Sequence, residues 1–115
     1  MDNKFLFLAI PKTGTSTLNA IIRKNCKKNK ILNINNYIIN DSIKEIKKMP
    51  SNEVKNYKWI TGHMGFGLHK VFKKNAKYIT LLRNPINRVI SYYYYLQQAS
   101  FYGEVYNRIR NMSLQ

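Results

Sequence analysis

The stretch that decides the fold is Phe5-Leu6-Phe7-Leu8-Ala9-Ile10-Pro11-Lys12-Thr13-Gly14-Thr15-Ser16-Thr17-Leu18. Its first six residues are apolar without alternation, which is typical of a strand covered on both faces in a parallel sheet. A short turn rich in hydroxyl groups follows, with one lysine and one glycine, and an amphipathic pattern then begins. The stretch therefore predicts a buried strand, a loop that cradles an anion, and a helix whose N-terminus points back at the loop.

The composition is that of one small, strongly basic globular domain. The chain has 115 residues, of which 44% are hydrophobic and 13% aromatic, and this is enough for a hydrophobic core. The formal net charge of +15 predicts an anionic partner, although lysines spread through the whole chain also suit a merely solvated surface. The single cysteine, Cys26, argues against a disulfide framework or a cysteine-based metal site.

The apolar stretches are too short for a membrane protein. None approaches the roughly 18 apolar residues of a membrane span. The first apolar run leads straight into the hydroxyl-rich loop, which is not the pattern of a signal peptide. We therefore expect a soluble, cytoplasmic protein.

Predicted strands and helices alternate along the rest of the chain. Strands are predicted at residues 5–10, 58–61 and 78–82, with a weaker strand pattern at 31–34. Helices are predicted after the first loop, from the capping box Ser42–Glu45 to Pro50, over 68–74 and from Pro85 onward, whereas 51–57 has the composition of a polar connection. This order predicts an α/β fold of three layers with a largely parallel sheet.

Three chemically distinctive segments follow predicted strands. They are the loop 12–17, the pair Gly62-His63, and the segment that begins at Arg83. Ligands of parallel sheets bind at the carboxyl ends of the strands, so we expect the three segments to form one site.

The first loop resembles a phosphate-binding loop but departs from the Walker A motif, because its lysine precedes its only glycine. Backbone N–H groups, hydroxyls and Lys12 can still face a tetrahedral anion, and a hydroxyl-rich helix cap with a surface lysine is the alternative. An enzyme acting on nucleoside triphosphates also needs a carboxylate near a strand end to hold magnesium. None of the five acidic residues has that position, so we expect a metal-free transfer.

Arg83, Ser91 and His63 are the other candidate site residues. Arg83 at a strand end and Ser91 about two turns into the next helix can reach one phosphate. His63 follows a glycine at a strand end, and the usual histidine pKa of about 6.5 suits a general base. The alternatives are that Arg83 is an exposed cap residue, that Ser91 is a small residue in helix packing, and that His63 is structural.

Together these motifs resemble those of the sulfotransferases that use 3′-phosphoadenosine 5′-phosphosulfate (PAPS). Residues 10–18 are similar to the family's 5′-phosphosulfate-binding loop, and residues 83–93 to its 3′-phosphate-binding motif. Residues 61–69 are similar to the segment that carries the base histidine in the carbohydrate branch, close to heparan sulfate 2-O- and 6-O-sulfotransferases. The resemblance covers residues 5–98 and implies a topology like that of the P-loop NTPases.

The resemblance also implies a role for each site residue. Lys12 would stabilise charge on the bridging oxygen and the leaving phosphate, and His63 would take the proton from the acceptor hydroxyl. Arg83 and Ser91 would hold the 3′-phosphate. The 5′-phosphosulfate would bind Lys12 and the residues Thr13, Gly14, Thr15, Ser16 and Thr17. The implied partners are PAPS as the nucleotide donor and a glycan hydroxyl as the acceptor, without a metal or a nucleic acid.

This sequence departs from the family's pattern in two ways. Asn84 stands where the family usually has aspartate, and both residues cap helices well. Family members also continue with further strands and helices, so we expect residues 1–115 to form a single partial domain. Two other functions remain in consideration. One is an atypical P-loop kinase or NTPase, and the other is a basic module that binds nucleic acid through its lysines and Tyr92–Tyr95.

Overall fold

The computed structural model describes residues 3–72 and 76–98. The chain divides into two compact units, Met1–Leu82 and Arg83–Gln115. The described part of the first unit contains four strands, β1 (Lys4–Leu8), β2 (Ile31–Asn33), β3 (Trp59–Gly62) and β4 (Ala76–Thr80). Its α-helices are α1 (Thr15–Asn25), α2 (Ile39–Lys48), α3 (Ser51–Asn56) and α4 (His69–Phe72), and a 3-10 turn covers Lys28–Lys30.

The strands of the first unit form one parallel sheet in the order β2-β3-β1-β4. Phe5 of β1 pairs with Trp59 of β3 on one side and with Lys77 of β4 on the other. The β2 strand pairs with β3, from Ile31 opposite Trp59. The α/β fold with a parallel sheet, which the element order predicted, is confirmed.

Helices cover both faces of this sheet because successive side chains of a strand point to opposite faces. Leu6 of β1 lies in a core with Ile60 and Ile46, beneath α2, α3 and α4. Phe7, its neighbour, lies in a second core with Ile22 of α1. The first unit therefore has three layers, and β1 is buried on both faces as its unbroken apolar run predicted.

The start of α2 differs from the prediction. The sequence placed it at the capping box Ser42–Glu45, but the helix begins at Ile39 and Ser42 is buried within it. Asn36 supplies the turn instead, because its Oδ1 accepts the N–H of Ile38 at 3.0 Å. The Ser42 hydroxyl donates to the Asn36 carbonyl at 3.0 Å. The prediction of a capping box was wrong, because Ser42 lies inside the helix and its hydroxyl bonds to Asn36 instead of capping the first turn.

The prediction of a polar connection at residues 51–57 was also wrong. The helix α3 occupies Ser51–Asn56, and the N–H of Val54 donates to the carbonyl of Pro50 at 3.0 Å. Val54 packs against the core, and Lys4 Nζ donates to the Val54 carbonyl at 2.9 Å. Six residues are too few to show an apolar period, so only these tertiary contacts reveal the helix.

The strands predicted at 5–10, 31–34 and 58–61 are observed at Lys4–Leu8, Ile31–Asn33 and Trp59–Gly62, and two further elements shift as well. The strand predicted at 78–82 is β4, which runs from Ala76 to Thr80. The helix predicted at 68–74 is α4, His69–Phe72, and residues 73–75 of that prediction lie outside the described residues.

The second unit contains α5, which spans Pro85–Gln98. Asn84 caps it as predicted, because its Oδ1 accepts the N–H of Ile86 at 3.0 Å and that of Asn87 at 3.2 Å. None of the described helices, α5 included, combines the length and the apolar character needed to cross a membrane.

Candidate functional site

The loop after β1 has an unusual backbone. Lys12 and Gly14 have φ angles of 64° and 91°, both in the left-handed region. Thr13 Oγ1 donates to the Ile10 carbonyl at 2.8 Å and closes the turn. A lysine at positive φ is uncommon, and such residues concentrate at binding and catalytic sites. The geometry thus supports the prediction that this loop is a binding loop.

The loop ends at the N-terminus of α1, where the helix dipole is positive. Gly14 is the N-cap residue, and no side chain among the described residues caps this end. The first turn also carries no acidic residue. Its N–H groups belong to the hydroxyl-bearing residues Thr15, Ser16 and Thr17. A tetrahedral anion is the ligand that such an end of a helix prefers.

The histidine segment lies directly beside this loop. His63 follows β3, the neighbour of β1, and the N–H of Ala9 donates to the Gly62 carbonyl at 3.0 Å. His63 Nδ1 lies 2.6 Å from the Ala9 carbonyl oxygen. A carbonyl oxygen only accepts hydrogen bonds, so Nδ1 carries the proton and Nε2 of the neutral ring is unprotonated. The structure therefore brings together His63 and Ala9, which enters the loop between β1 and α1.

A second polar contact joins the same elements. Thr61 of β3 is buried, and its Oγ1 donates to Oδ1 of Asn19 on α1 at 2.7 Å. This bond fixes α1, whose N-terminus ends the loop, to the strand that leads to His63. Neither residue stood out in the sequence, because their contact joins positions 42 residues apart.

Asn35 and Tyr37 were also missed. Asn35 Oδ1 accepts the backbone N–H of His63 at 3.1 Å, and the Tyr37 ring stacks on the His63 ring. The asparagine-rich run around them showed only a weak strand pattern. No signal in the sequence could have placed these two side chains against His63.

His69, the second histidine, has a different environment. The hydroxyl oxygen of Tyr78 accepts the backbone N–H groups of Gly67 at 3.0 Å and His69 at 3.1 Å. With both lone pairs engaged, that hydroxyl gives its own proton to His69 Nδ1, 3.1 Å away. Neutral His69 is consequently protonated at Nε2. The Tyr78 hydroxyl thus anchors Gly67 and His69 to β4.

Arg83 and Ser91 belong to the second unit. Arg83 precedes the capping residue Asn84 and is exposed, and Ser91 lies on α5 and is half-buried. The expectation that both hold a phosphate stays a prediction.

The described carboxylates lie away from the strand ends. Asp41 and Glu45 are on α2, and Glu53 is on α3, where it accepts the Tyr57 hydroxyl at 2.7 Å. Within residues 3–72 and 76–98, no three side chains of the metal-binding types lie together. A magnesium-binding carboxylate beside the loop between β1 and α1 is thus not found in the part of the chain that the structure describes.

Comparison with known proteins agrees with this geometry. The family model described as "Sulfotransferase domain" matches residues 2–112. Heparan sulfate 2-O-sulfotransferase 1 of Xenopus laevis is 30% identical over 111 residues, which is 88% of this chain and 31% of that protein. The human and mouse proteins of the same name are 29% and 30% identical and are covered to the same extent. The chain thus spans about 31% of the length of the curated relatives it matches. The expected resemblance is confirmed, and the chain belongs to the sulfotransferase domain family.

Proposed function

We propose that this chain carries the donor-binding part of a sulfotransferase that moves a sulfuryl group from PAPS to a hydroxyl of a carbohydrate acceptor. The observation that carries the proposal is the contact of His63 with Ala9, which leads into the loop before the N-terminus of α1. The unprotonated Nε2 that the Ala9 contact implies is the nitrogen a general base needs. The relatives are named heparan sulfate 2-O-sulfotransferases, which supports a glycan acceptor.

The loop residues suit the 5′-phosphosulfate of the donor. Lys12 and Gly14 take left-handed backbone conformations in the loop that leads from β1 into α1. The N–H groups and hydroxyls of residues 13–17 supply donors, and Lys12 supplies a positive charge for the bridging oxygen. We assign Arg83 and Ser91 to the 3′-phosphate on the family pattern.

PAPS, when bound, supplies an electrophilic sulfur atom. His63 Nε2 receives the proton that the acceptor hydroxyl gives up as its oxygen bonds to sulfur and the bond from sulfur to the phosphate oxygen breaks. Lys12 stabilises the negative charge that develops on that phosphate oxygen. Because the charge is met by lysine, arginine and backbone donors, the proposal needs no metal. A cytoplasmic location and a single domain over residues 1–115 stay predictions.

Calorimetric titration with 3′-phosphoadenosine 5′-phosphate in the presence of a chelator tests the donor site. Binding is expected, and Lys12→Ala or Arg83→Ala should weaken it about 10- to 100-fold, because a bond to a charged group contributes about 1.5–3 kcal/mol. Lys24→Ala, an exposed lysine at the far end of α1, is the matched control and should leave the affinity unchanged.

Three results would overturn the proposal. One is no binding of this nucleotide by the folded chain. Another is ATP binding that requires magnesium, which would favour a kinase or NTPase. The third is salt-sensitive binding of DNA or RNA that does not depend on Lys12 or Arg83, which would favour a nucleic-acid-binding module.

A further inference from the structure

The loop between β2 and α2 lies against the histidine segment. The backbone of Ile34 touches Gly62 so closely that a Cβ on this glycine would lie 1.9 Å from the Ile34 carbonyl oxygen. Asn35 Oδ1 accepts the N–H of His63 at 3.1 Å. The rings of Tyr37 and His63 stack with centroids 6.1 Å apart and planes 18° apart. Three successive parts of one loop therefore contact Gly62 and His63.

We propose that Asn35 is a positioning residue for His63, and that it holds the ring in the Nδ1-protonated tautomer. The inference deepens the proposed function, because it says how the chain prepares the nitrogen assigned as the base. Asn35 does not act on the acceptor or the donor itself. It acts through the backbone of His63.

The first step of the argument is the end of the β2–β3 ladder. The last pairing is Asn33 opposite Thr61, and the N–H of Ile34 donates to the Thr61 carbonyl at 2.9 Å. Beyond this point β2 turns away toward α2. The next N–H of the histidine segment, that of His63, is satisfied by the Asn35 side chain. The amide oxygen thus takes the place of a backbone carbonyl and continues the ladder by one bond.

The second step is that His63 is held from two sides. Asn35 holds its backbone from the β2 side, and the Ala9 carbonyl holds its ring from the β1 side, at 2.6 Å. The Ala9 contact requires a proton on Nδ1. The ring can make this contact only while the His63 backbone keeps its position. The Tyr37 ring is stacked on the His63 ring, with the centroids 6.1 Å apart. Without the Asn35 acceptor, the His63 N–H loses its partner, the segment shifts, and the ring leaves the carbonyl.

A purely structural role for Asn35 makes a different prediction. If Asn35 only satisfied a backbone hydrogen bond of the loop, its replacement would lower stability. The ring of His63 would nevertheless stay on the Ala9 carbonyl. The protonation pattern of the ring therefore separates the two roles.

Nitrogen-15 NMR of the histidine rings, at about pH 8.5 where histidine side chains are neutral, provides the test. The unsubstituted chain should show His63 protonated at Nδ1. His69 is an internal reference, because its contact with Tyr78 requires the opposite tautomer. In Asn35→Ala the ratio of Nδ1-protonated to Nε2-protonated His63 should fall about fivefold, the factor that corresponds to one lost hydrogen bond of about 1 kcal/mol.

Two further variants complete the experiment. Asn35→Asp keeps the accepting oxygen and should retain the tautomer. Asn36→Ala removes the neighbouring amide, which bonds Ile38 and not His63, and should leave the His63 signals unchanged. Amide spectra establish that each variant is folded.

The proposal is overturned if folded Asn35→Ala keeps the parent's tautomer, or if folded Asn35→Asp loses it. Should Asn35→Ala fail to fold, the Asn35→Asp result decides alone. No donor or acceptor is present in these spectra. Failure of this inference is therefore distinct from failure of the proposed function, which the nucleotide titration reports.

Discussion

Gly62 shows how much one residue can decide. Its φ is 147°, and a Cβ there would meet the Ile34 carbonyl oxygen at 1.9 Å and Asn35 Oδ1 at 2.8 Å. Only glycine lets two backbone segments approach so closely while the chain takes this conformation. That approach is what brings Asn35 within reach of the His63 N–H. The position of His63, the candidate base, thus depends on the absence of a side chain at Gly62.

Replacement of Gly62 by alanine is expected to be severe. The new Cβ would overlap backbone atoms, which cannot move aside as a flexible side chain can. The free energy of unfolding should therefore fall by on the order of 3 kcal/mol or more. Gly14→Ala is the control, because φ is also positive at 91° but the nearest contact would be Leu81 Cδ1 at 3.9 Å. Its cost should be about 1–2 kcal/mol, from backbone strain alone. Urea denaturation measures both, and equal costs would contradict the close approach at Gly62.

Tyr57 supplies a pH prediction at the same scale. The hydrogen bond to Glu53, followed by burial and the Glu53 charge, raises the pKa of the Tyr57 hydroxyl above its usual value of 10.0. The folded state therefore holds this proton more tightly than the unfolded state does. The resulting contribution to stability is complete below the usual pKa and is lost as the pH rises through the raised value.

Urea denaturation from about pH 9 upward should show this loss, and Glu53→Gln should reduce it. Glu45→Gln on α2 is the control and should leave the pH dependence unchanged. A Tyr57 pKa that does not fall in Glu53→Gln, followed by NMR, would disprove the assigned cause.

At the scale of elements, α1 shows where a periodic pattern is too coarse. The helical spacing of four residues predicts its apolar face, namely Leu18, Ile21, Ile22 and Cys26. Ile22 is only 5% exposed, whereas Ile21 is 52% exposed. Both fit the helical spacing, but only Ile22 belongs to the core with Phe7 and Ala9.

The two neighbouring isoleucines give a direct comparison of this selection. Ile22→Ala should cost about 2–5 kcal/mol, because it leaves a cavity against Phe7 and Ala9. Ile21→Ala should change stability by no more than about 0.5 kcal/mol, since it alters an exposed helix position. Thermal or urea unfolding distinguishes them, and similar costs would show that α1 packs on a different face.

The helix α3 shows an element that depends on a distant residue. Lys4 Nζ donates to the carbonyls of Val54 and Tyr57, positions 50 and 53 residues away. These bonds satisfy carbonyl groups at the C-terminal end of a helix too short to be stable alone. The local sequence does not contain this stabilisation, which is why the segment was predicted to be a connection.

At the scale of the molecule, β1 contributes side chains to both hydrophobic cores of the first unit. Leu6 faces the core under α2, α3 and α4, and Phe7 faces the core under α1. Both side chains are fully buried. One strand therefore supports two separate layers of helix packing.

Truncation of either side chain should destabilise the first unit. We expect about 2–5 kcal/mol for Leu6→Ala and about 3–5 kcal/mol for Phe7→Ala, from lost burial and the cavity that remains. Ile38→Ala, at an exposed position, serves as the control. Chemical denaturation provides the measurement, and an unchanged midpoint for either core variant would mean that its face of the sheet is not a core.

The sequence by itself determined the local chemistry of this protein. The unbroken apolar run of residues 5–10, the hydroxyl-rich loop after it and the alternation of elements were enough to predict an α/β fold with an anion loop at a strand end. They were enough because strand, turn and helix N-terminus are set by neighbours within a few residues. His63 was singled out in the same way, from a glycine and a strand end.

Only the tertiary structure decided how these parts meet. The strand order β2-β3-β1-β4 puts β3 next to β1, and so places His63 Nδ1 on the Ala9 carbonyl. It also puts β2 beyond β3, which brings Asn35 to the His63 N–H. These bonds join positions 54 and 28 residues apart, so no local pattern encodes them. They form because the packing of two cores against β1 brings distant segments together at one edge of the sheet.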